Sequence, residues 1–212
     1  MREADPQRDD DDDVGLRLDA LEMTARARDA YTPEGRPGLP HTARWPIFPF
    51  ETDGLRVRRI EDPVLPEPPR RDETADDCGT CRKADADFVW TDERWRVGMS
   101  DEPMSLPVVV VHSRAHLDFE ELTDPLGAEM GVLLVRIQRV LTSIEGVGRV
   151  HVNKWGDGGA HLHVFVVGRP QGMMQLRGMF LTTWMHVLPP LPLELWKAIR
   201  SRVATALATP QR

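Results

Sequence analysis

His161 and His163 stand one residue apart in GGAHLHVFVVGRP, residues 158–170, directly after a glycine-rich turn. Side chains alternate between the faces of a strand, so His161, His163 and Phe165 share one side while Leu162, Val164 and Val166 share the other. The second set suits a covered core. Imidazoles are costly in an apolar core without hydrogen-bond or metal partners. A pair of surface histidines on a half-exposed strand is the plain alternative, but two at this spacing beside a glycine turn point to a pocket.

The other chemically capable pair is Cys78 and Cys81, in C-x-x-C spacing. That spacing fits a metal half-site or a redox pair, and two cysteines cannot form a disulfide framework. A thioredoxin-like pair calls for a preceding strand and a following helix, and DETADDCGTCRKADADFVW offers neither clearly. Metal binding is therefore favoured, with an unliganded thiol pair as the third option.

These residues need elements to position them. DFVWTDERWRVGM reads as two short strands around Thr91-Asp92-Glu93, and SLPVVVVHS as a buried strand of β-branched residues. Apolar residues at Met130, Leu133, Leu134, Ile137, Val140, Leu141 and Ile144 give a long amphipathic helix over Glu129 to Glu145. GRVHVNKW and AHLHVFVVG form a strand pair joined by GDGG. PLELWKAIRSRVATALA has a further helical pattern, with Leu195, Ile199 and Val203 on one side. The expected fold is α+β: an antiparallel sheet of about five strands with a long helix across one face, an extended N-terminal arm and a C-terminal helix.

Residues 1–75 read as an acidic, proline-rich, partly disordered arm, and 76–212 as the domain with its helical extension. Within the arm, Val14 to Ala30 has a weak apolar face at Leu16, Leu18, Leu21 and Met23. The proline-rich stretch that follows contains Trp45, Ile47, Phe48 and Phe50, aromatic and apolar side chains expected to dock on the domain, where they could wall the site. PVLPEPPRR reads as a linker-like break, and Asp9 to Asp13 as a solvated tail.

With 212 residues the chain is long enough for one core, and its net charge of −7 argues against general nucleic-acid binding through a basic surface. No apolar run approaches the ~20 residues needed to span a bilayer, and the acidic N-terminus is unlike a signal peptide. A cytoplasmic protein with no membrane or nucleic-acid partner is expected.

The alternating histidines in an apolar strand resemble the signature of the histidine-triad superfamily. The resemblance covers roughly residues 78–170: Cys78 and Cys81, the strand pair FVWTDERWRV, the strand and histidine of LPVVVVHSRAHLDFEEL, the long helix, then HLHVFVV. It is closest to the zinc-bearing members, including the galactose-1-phosphate uridylyltransferase branch. It implies that Cys78, Cys81, His116 and His161 hold a structural Zn2+, two thiolates and two imidazoles making a closed tetrahedral set. His112 is the rival for the third ligand, and His116 fits the family position better.

The resemblance further implies that His163 is a nucleophile. A neutral imidazole whose other nitrogen is held by a backbone carbonyl can attack an α-phosphorus and form a phosphoramidate. Gly158 and Gly159 could present backbone N–H groups, Lys154, Arg169 or Arg177 could supply positive charge, and Asn153 could contact ribose or phosphate. A homodimer is also implied. The chain departs from the family at Phe165, where the triad hydrolases have histidine and the uridylyltransferase branch glutamine, so one preorganised donor is missing. The loop from Asn153 to His161 is short, with glycine at the usual polar position. Gln175, Arg177, Trp184 and His186 could fold back to replace the missing group, although Trp184 reads better as packing. His151 reads as a satisfied strand residue. Two functions follow: a nucleotidyltransferase or nucleotide phosphohydrolase acting on a nucleoside phosphate or phosphate ester, or a nucleotide-binding or interaction protein that keeps the fold and zinc but not the chemistry.

Overall fold

The computed structural model describes residues 19–209. Asp9 to Asp13, Leu16 and Leu18 lie outside them. The described residues form two compact units, 19–43 with 51–68, and 44–50 with 69–209. Of the segment read above as an arm, 44–50 and 69–75 thus cluster with the second unit.

In the first unit α1 (Ala20–Asp29) starts where Asp19 caps it, the carboxylate accepting from the N–H groups of Leu21 and Glu22 at 2.9 and 3.1 Å. None of its residues is buried, and Leu21 and Met23 stay exposed. The apolar face expected there is too sparse to build a core. Arg28 ties the unit together instead, donating to the Ile60 carbonyl at 2.8 Å and pairing with Asp62 at 2.7 Å.

The second unit carries an antiparallel sheet of β1 (Trp90–Thr91), β2 (Trp95–Gly98), β3 (Val108–Ser113), β4 (Val147–Asn153) and β5 (His163–Pro170), in the order β1-β2-β3-β5-β4. This is the expected α+β arrangement. The valine run of β3 is β-branched throughout because both its faces are covered. Val109 and Val111 join Leu162, Val164 and Val166 in one core, while Val108 and Val167 belong to another on the opposite face.

Two helices close the first face. The long helix α2 runs Asp124–Thr142, beginning earlier than expected because Pro125 is tolerated in a first turn, and stopping before Gly146, which takes a positive φ of 85°. It buries Met130, Leu133, Ile137 and Leu141. The C-terminal helix α4 (Leu193–Ala208) buries Trp196, Ile199, Val203 and Leu207. Ile199 and Val203 face inward as expected, but Leu195 is 45% exposed; in its place fully buried Trp196 fills the core, and its Nε1–H donates to the Ser100 carbonyl at 3.0 Å.

On the other face lie Leu176, Phe180 and the short helix α3 (Leu181–Met185). Trp45 and Phe48 meet Phe180 edge-on, with centroids 6.2 and 5.5 Å apart, and Trp184 donates to the Ile47 carbonyl at 3.0 Å. These side chains therefore pack at the 180–184 segment and do not wall the histidine pocket.

The link between β4 and β5 is no tight hairpin. Residues 154–162 form a loop, so His161 precedes the strand that begins at His163. Ala160 N–H donates to the Arg71 carbonyl at 2.9 Å, and Leu162 N–H to the Leu117 carbonyl at 2.7 Å, drawing this loop away from the ladder. Leu162 still points into the core with Val164 and Val166.

Trp196→Ala should lower unfolding stability by about 3–5 kcal/mol, because it removes a large buried side chain and leaves the Ser100 carbonyl with Arg200 as its remaining donor. Urea titration followed by circular dichroism measures this, and Leu195→Ala should cost far less.

Candidate functional site

Cys78 and Cys81 sit in consecutive turns before β1, His116 in the loop after β3, and His161 in the loop before β5. Their four ligand atoms lie within 4.8 Å of one another. His161 Nδ1 is 3.3 Å from Cys78 Sγ and 3.4 Å from Cys81 Sγ, and His116 Nδ1 is 3.5 Å from Cys81 Sγ. Sulfur and nitrogen ligands at zinc-like bond lengths and a tetrahedral angle would lie about 3.6 Å apart. The donor set fits such an ion.

The outer partners support that reading. His161 Nε2 donates to the Ser113 carbonyl at 2.8 Å, and His116 Nε2 to the Glu73 carbonyl at 3.3 Å. Each ring therefore turns its Nδ1 lone pair towards the thiols, the second contact that orients metal-bound histidines. Burial, together with the neighbouring Cys78 thiol, pushes the Cys81 thiol up to about 11. A cation between the sulfurs reverses that cost by favouring the thiolates.

The rival ligand, His112, is outside this set. It lies opposite His163 in the β3–β5 register, and its Nδ1 donates to the Leu162 carbonyl at 3.2 Å. Burial first, and the nearby His161 second, push its pKa down to about 4, so the ring is neutral at physiological pH.

His163 is half-buried, and its Nδ1 is 2.8 Å from the carbonyl oxygen of His161. A carbonyl only accepts, so Nδ1 carries the proton and Nε2 keeps its lone pair. The ring lines a cavity of about 280 Å³ together with Arg71, Asp72, Val110, His112, Gly158, Gly159, His161 and Phe165. His161 and His163 thus share a pocket, although only His163 belongs to the strand. Phe165 stands edge-on to His163, centroids 5.6 Å apart, and touches the half-exposed Trp155 at 5.5 Å.

The expected cations are arranged differently. Lys154 pairs with buried Asp118 at 3.2 Å, and Arg70 pairs with the same carboxylate and donates to the Gly156 carbonyl at 3.0 Å. Burial would raise the Asp118 pKa, but the Phe119 N–H, Arg70 and Lys154 together hold it below the usual carboxylate range. Lys154 therefore braces the loop and does not line the pocket. Arg169 and Arg177 line a separate cavity with His151. Asn153 sits opposite Phe165 at the end of β4, and it too is absent from the pocket lining, as are Gln175, Trp184 and His186.

The cation that does reach the pocket is Arg71, which sequence reasoning passed over as part of a linker. Its backbone forms a parallel bridge with Gly159, its N–H donates to the Gly158 carbonyl at 3.3 Å, and its Nε donates to the same oxygen at 3.4 Å. A Cβ on Gly159 would lie 3.3 Å from an Asp72 carboxylate oxygen, so glycine suits this close approach. The adjacent arginines shortly before Cys78 were the available signal.

No protein-family model matches the sequence, and no curated protein matches it. Solved structures do. Several of those it is similar to are histidine-triad proteins. A histidine-triad protein of Bradyrhizobium japonicum is 14% identical, with 56% of this chain and 88% of that chain covered and a TM-score of 0.47. A zinc-bound histidine-triad family protein of Mycobacterium smegmatis is 16% identical, with 63% and 97% covered and a TM-score of 0.44. A uridylyltransferase is 17% identical, with 61% and 45% covered and a TM-score of 0.41. The likeness is one of fold.

Elemental analysis of the purified chain should find about one tightly held divalent metal ion per molecule. Cys81→Ser should reduce it to a small fraction of that and lower Tm by several degrees, since metal binding to a preformed set is folding free energy. Asp118→Ala should destabilise by about 1–3 kcal/mol, because it strips two cations of their shared partner. Thermal unfolding at constant pH checks the second outcome.

Proposed function

We propose that this chain is a nucleotidyltransferase or nucleotide phosphohydrolase of the histidine-triad type, acting on a nucleoside phosphate or phosphate ester through a covalent intermediate on His163. The observation that carries this reading is the 2.8 Å hydrogen bond from His163 Nδ1 to the His161 carbonyl. It fixes the tautomer and leaves Nε2 as a nucleophile in a pocket with Arg71. In the first step the Nε2–phosphorus bond forms and the bond from phosphorus to the leaving oxygen breaks. As the ring takes on positive charge, the His161 carbonyl stabilises Nδ1–H. An acceptor, water or a hydroxyl or phosphate oxygen, then attacks the phosphorus, and the phosphorus–nitrogen bond breaks to restore His163.

Cys78, Cys81, His116 and His161 are the proposed holders of a structural zinc ion. Bound there, it supplies rigidity: it clamps the ring of the residue whose carbonyl orients His163. Arg71 offsets phosphate charge, and the turn at Gly158 and Gly159 leaves room for phosphoryl oxygens. A reduced thiol pair suits a cytoplasmic setting. Pairing of two copies along the edge strand β4 also belongs to this reading.

Phe165 favours a second reading. Its ring stands beside His163 where a polar donor would assist departure of the leaving group, so the chain could bind nucleotides without transferring them. Mass spectrometry after incubation with nucleoside triphosphates and sugar nucleotides separates the two. The first reading expects a nucleotidyl mass on His163 that His163→Asn abolishes; turnover without any such mass would reject it. The second expects ligand-induced stabilisation and no turnover. Phe165→Gln should raise turnover roughly tenfold or more, up to the ~10²–10³ that one preorganised donor contributes.

A further inference from the structure

Arg149 and Arg169 face each other directly across β4 and β5. Like charges in opposed positions of a sheet are destabilising, and this pair exists only because the register is broken. Val147 pairs with Pro170 and Arg149 with Arg169, so two steps on one strand match one on the other, which is a bulge. Glycine makes it possible: a Cβ on Gly148 would lie 2.9 Å from the Cα of Gln171. In an unbroken ladder continued from the Val147–Pro170 pair, Gly148 would have faced Arg169.

The two guanidiniums line a cavity of about 750 Å³ with Arg177 and His151, and no carboxylate is among its lining residues. Carbonyl oxygens orient the arginines without neutralising them: Arg149 donates to Gly148 O at 2.7 Å, Arg169 to Pro170 O at 2.9 Å and to Met173 O at 3.1 Å, and Arg177 to Met174 O at 2.8 Å. None of the three has an ion pair among the described residues. His151 adds an independent sign. Its Nε2 is buried without a hydrogen-bond partner, contrary to the satisfied strand residue expected from sequence.

We propose that this cavity is a second, anion-binding site that takes the phosphate groups of a small phosphorylated molecule, with Arg149, Arg169 and Arg177 as its cations and His151 as a polar contact. Fork-shaped guanidiniums match phosphate oxygens in geometry and charge. The net charge of −7 disfavours an extended polyanion, whereas a local basic cluster suits a compact one. The site is separate from the His163 pocket: His163 and Arg169 are six positions apart along β5, about 20 Å at strand rise. It stands whether or not His163 performs transfer.

The test titrates inorganic pyrophosphate into the full chain carrying Arg71→Ala, which removes the cation of the His163 pocket, and reads binding by calorimetry in low-salt buffer. Saturable binding is expected, weakened at least about tenfold when Arg149→Ala and Arg177→Ala are added. Both side chains are exposed, and the single substitutions repeat the measurement one cation at a time. Absence of saturation, or affinity unchanged by losing both arginines, overturns the proposal. A second readout uses Arg149→Glu without ligand. Replacing the opposed like charges with an attractive pair should raise Tm by roughly 1–4 °C while pyrophosphate binding is lost. A Tm at or below that of the parent refutes the claim that the pair is held for a ligand.

Discussion

His161 does two jobs with two different atoms, and the rest of the site depends on both. Its Nδ1 faces the sulfurs of Cys78 and Cys81, while its backbone carbonyl accepts from His163. The metal set and the candidate nucleophile are therefore coupled through one residue, with no side chain between them. The carbonyl is available because the strand begins at His163. The Leu162 carbonyl is likewise taken up by an imidazole, that of His112. Had β5 paired from 161 onward, these oxygens would have been spent on a ladder, and the rings would have lost the contacts that orient them.

The sheet separates stability from chemistry by face. One side is sealed by α2 and α4 over a continuous apolar core. The other is covered at the 176–188 segment and left open beside His163 and beside Arg169. Polar side chains can gather there at modest cost because the opposite face already carries most of the burial.

Periodicity made the frame legible. Alternation placed Leu162, Val164 and Val166 in the core, and helical spacing located α2. It placed Ile199 and Val203 of α4 correctly and misjudged one position, where Trp196 rather than Leu195 turns inward, since a large ring at one edge of an apolar stripe outweighs the smaller side chain beside it. Spacing also singled out the cysteine pair and His161, and the histidine-triad resemblance added His116 to the set that meets in space. The cations were hard to read. Lys154 is taken by Asp118, Arg169 is displaced by its position at the far end of β5 and Arg177 lies in the segment beyond it, and Arg71 reaches the pocket through a backbone bridge between distant segments. Such pairings leave no periodic trace. Nor does a bulge that depends on a single glycine announce which arginine it will realign.

That bridge has a consequence for how the chain condenses. Arg71 and Gly158 are 87 positions apart, and Cys78 and His161 are 83 apart. Helix α2 forms from neighbours, and loop closure over such spans must precede any gain from the contacts they bring. The pocket is thus a late product of folding, assembled from partners more than 80 positions apart. A molecule with its helices formed and its valines buried is still one without a working cleft.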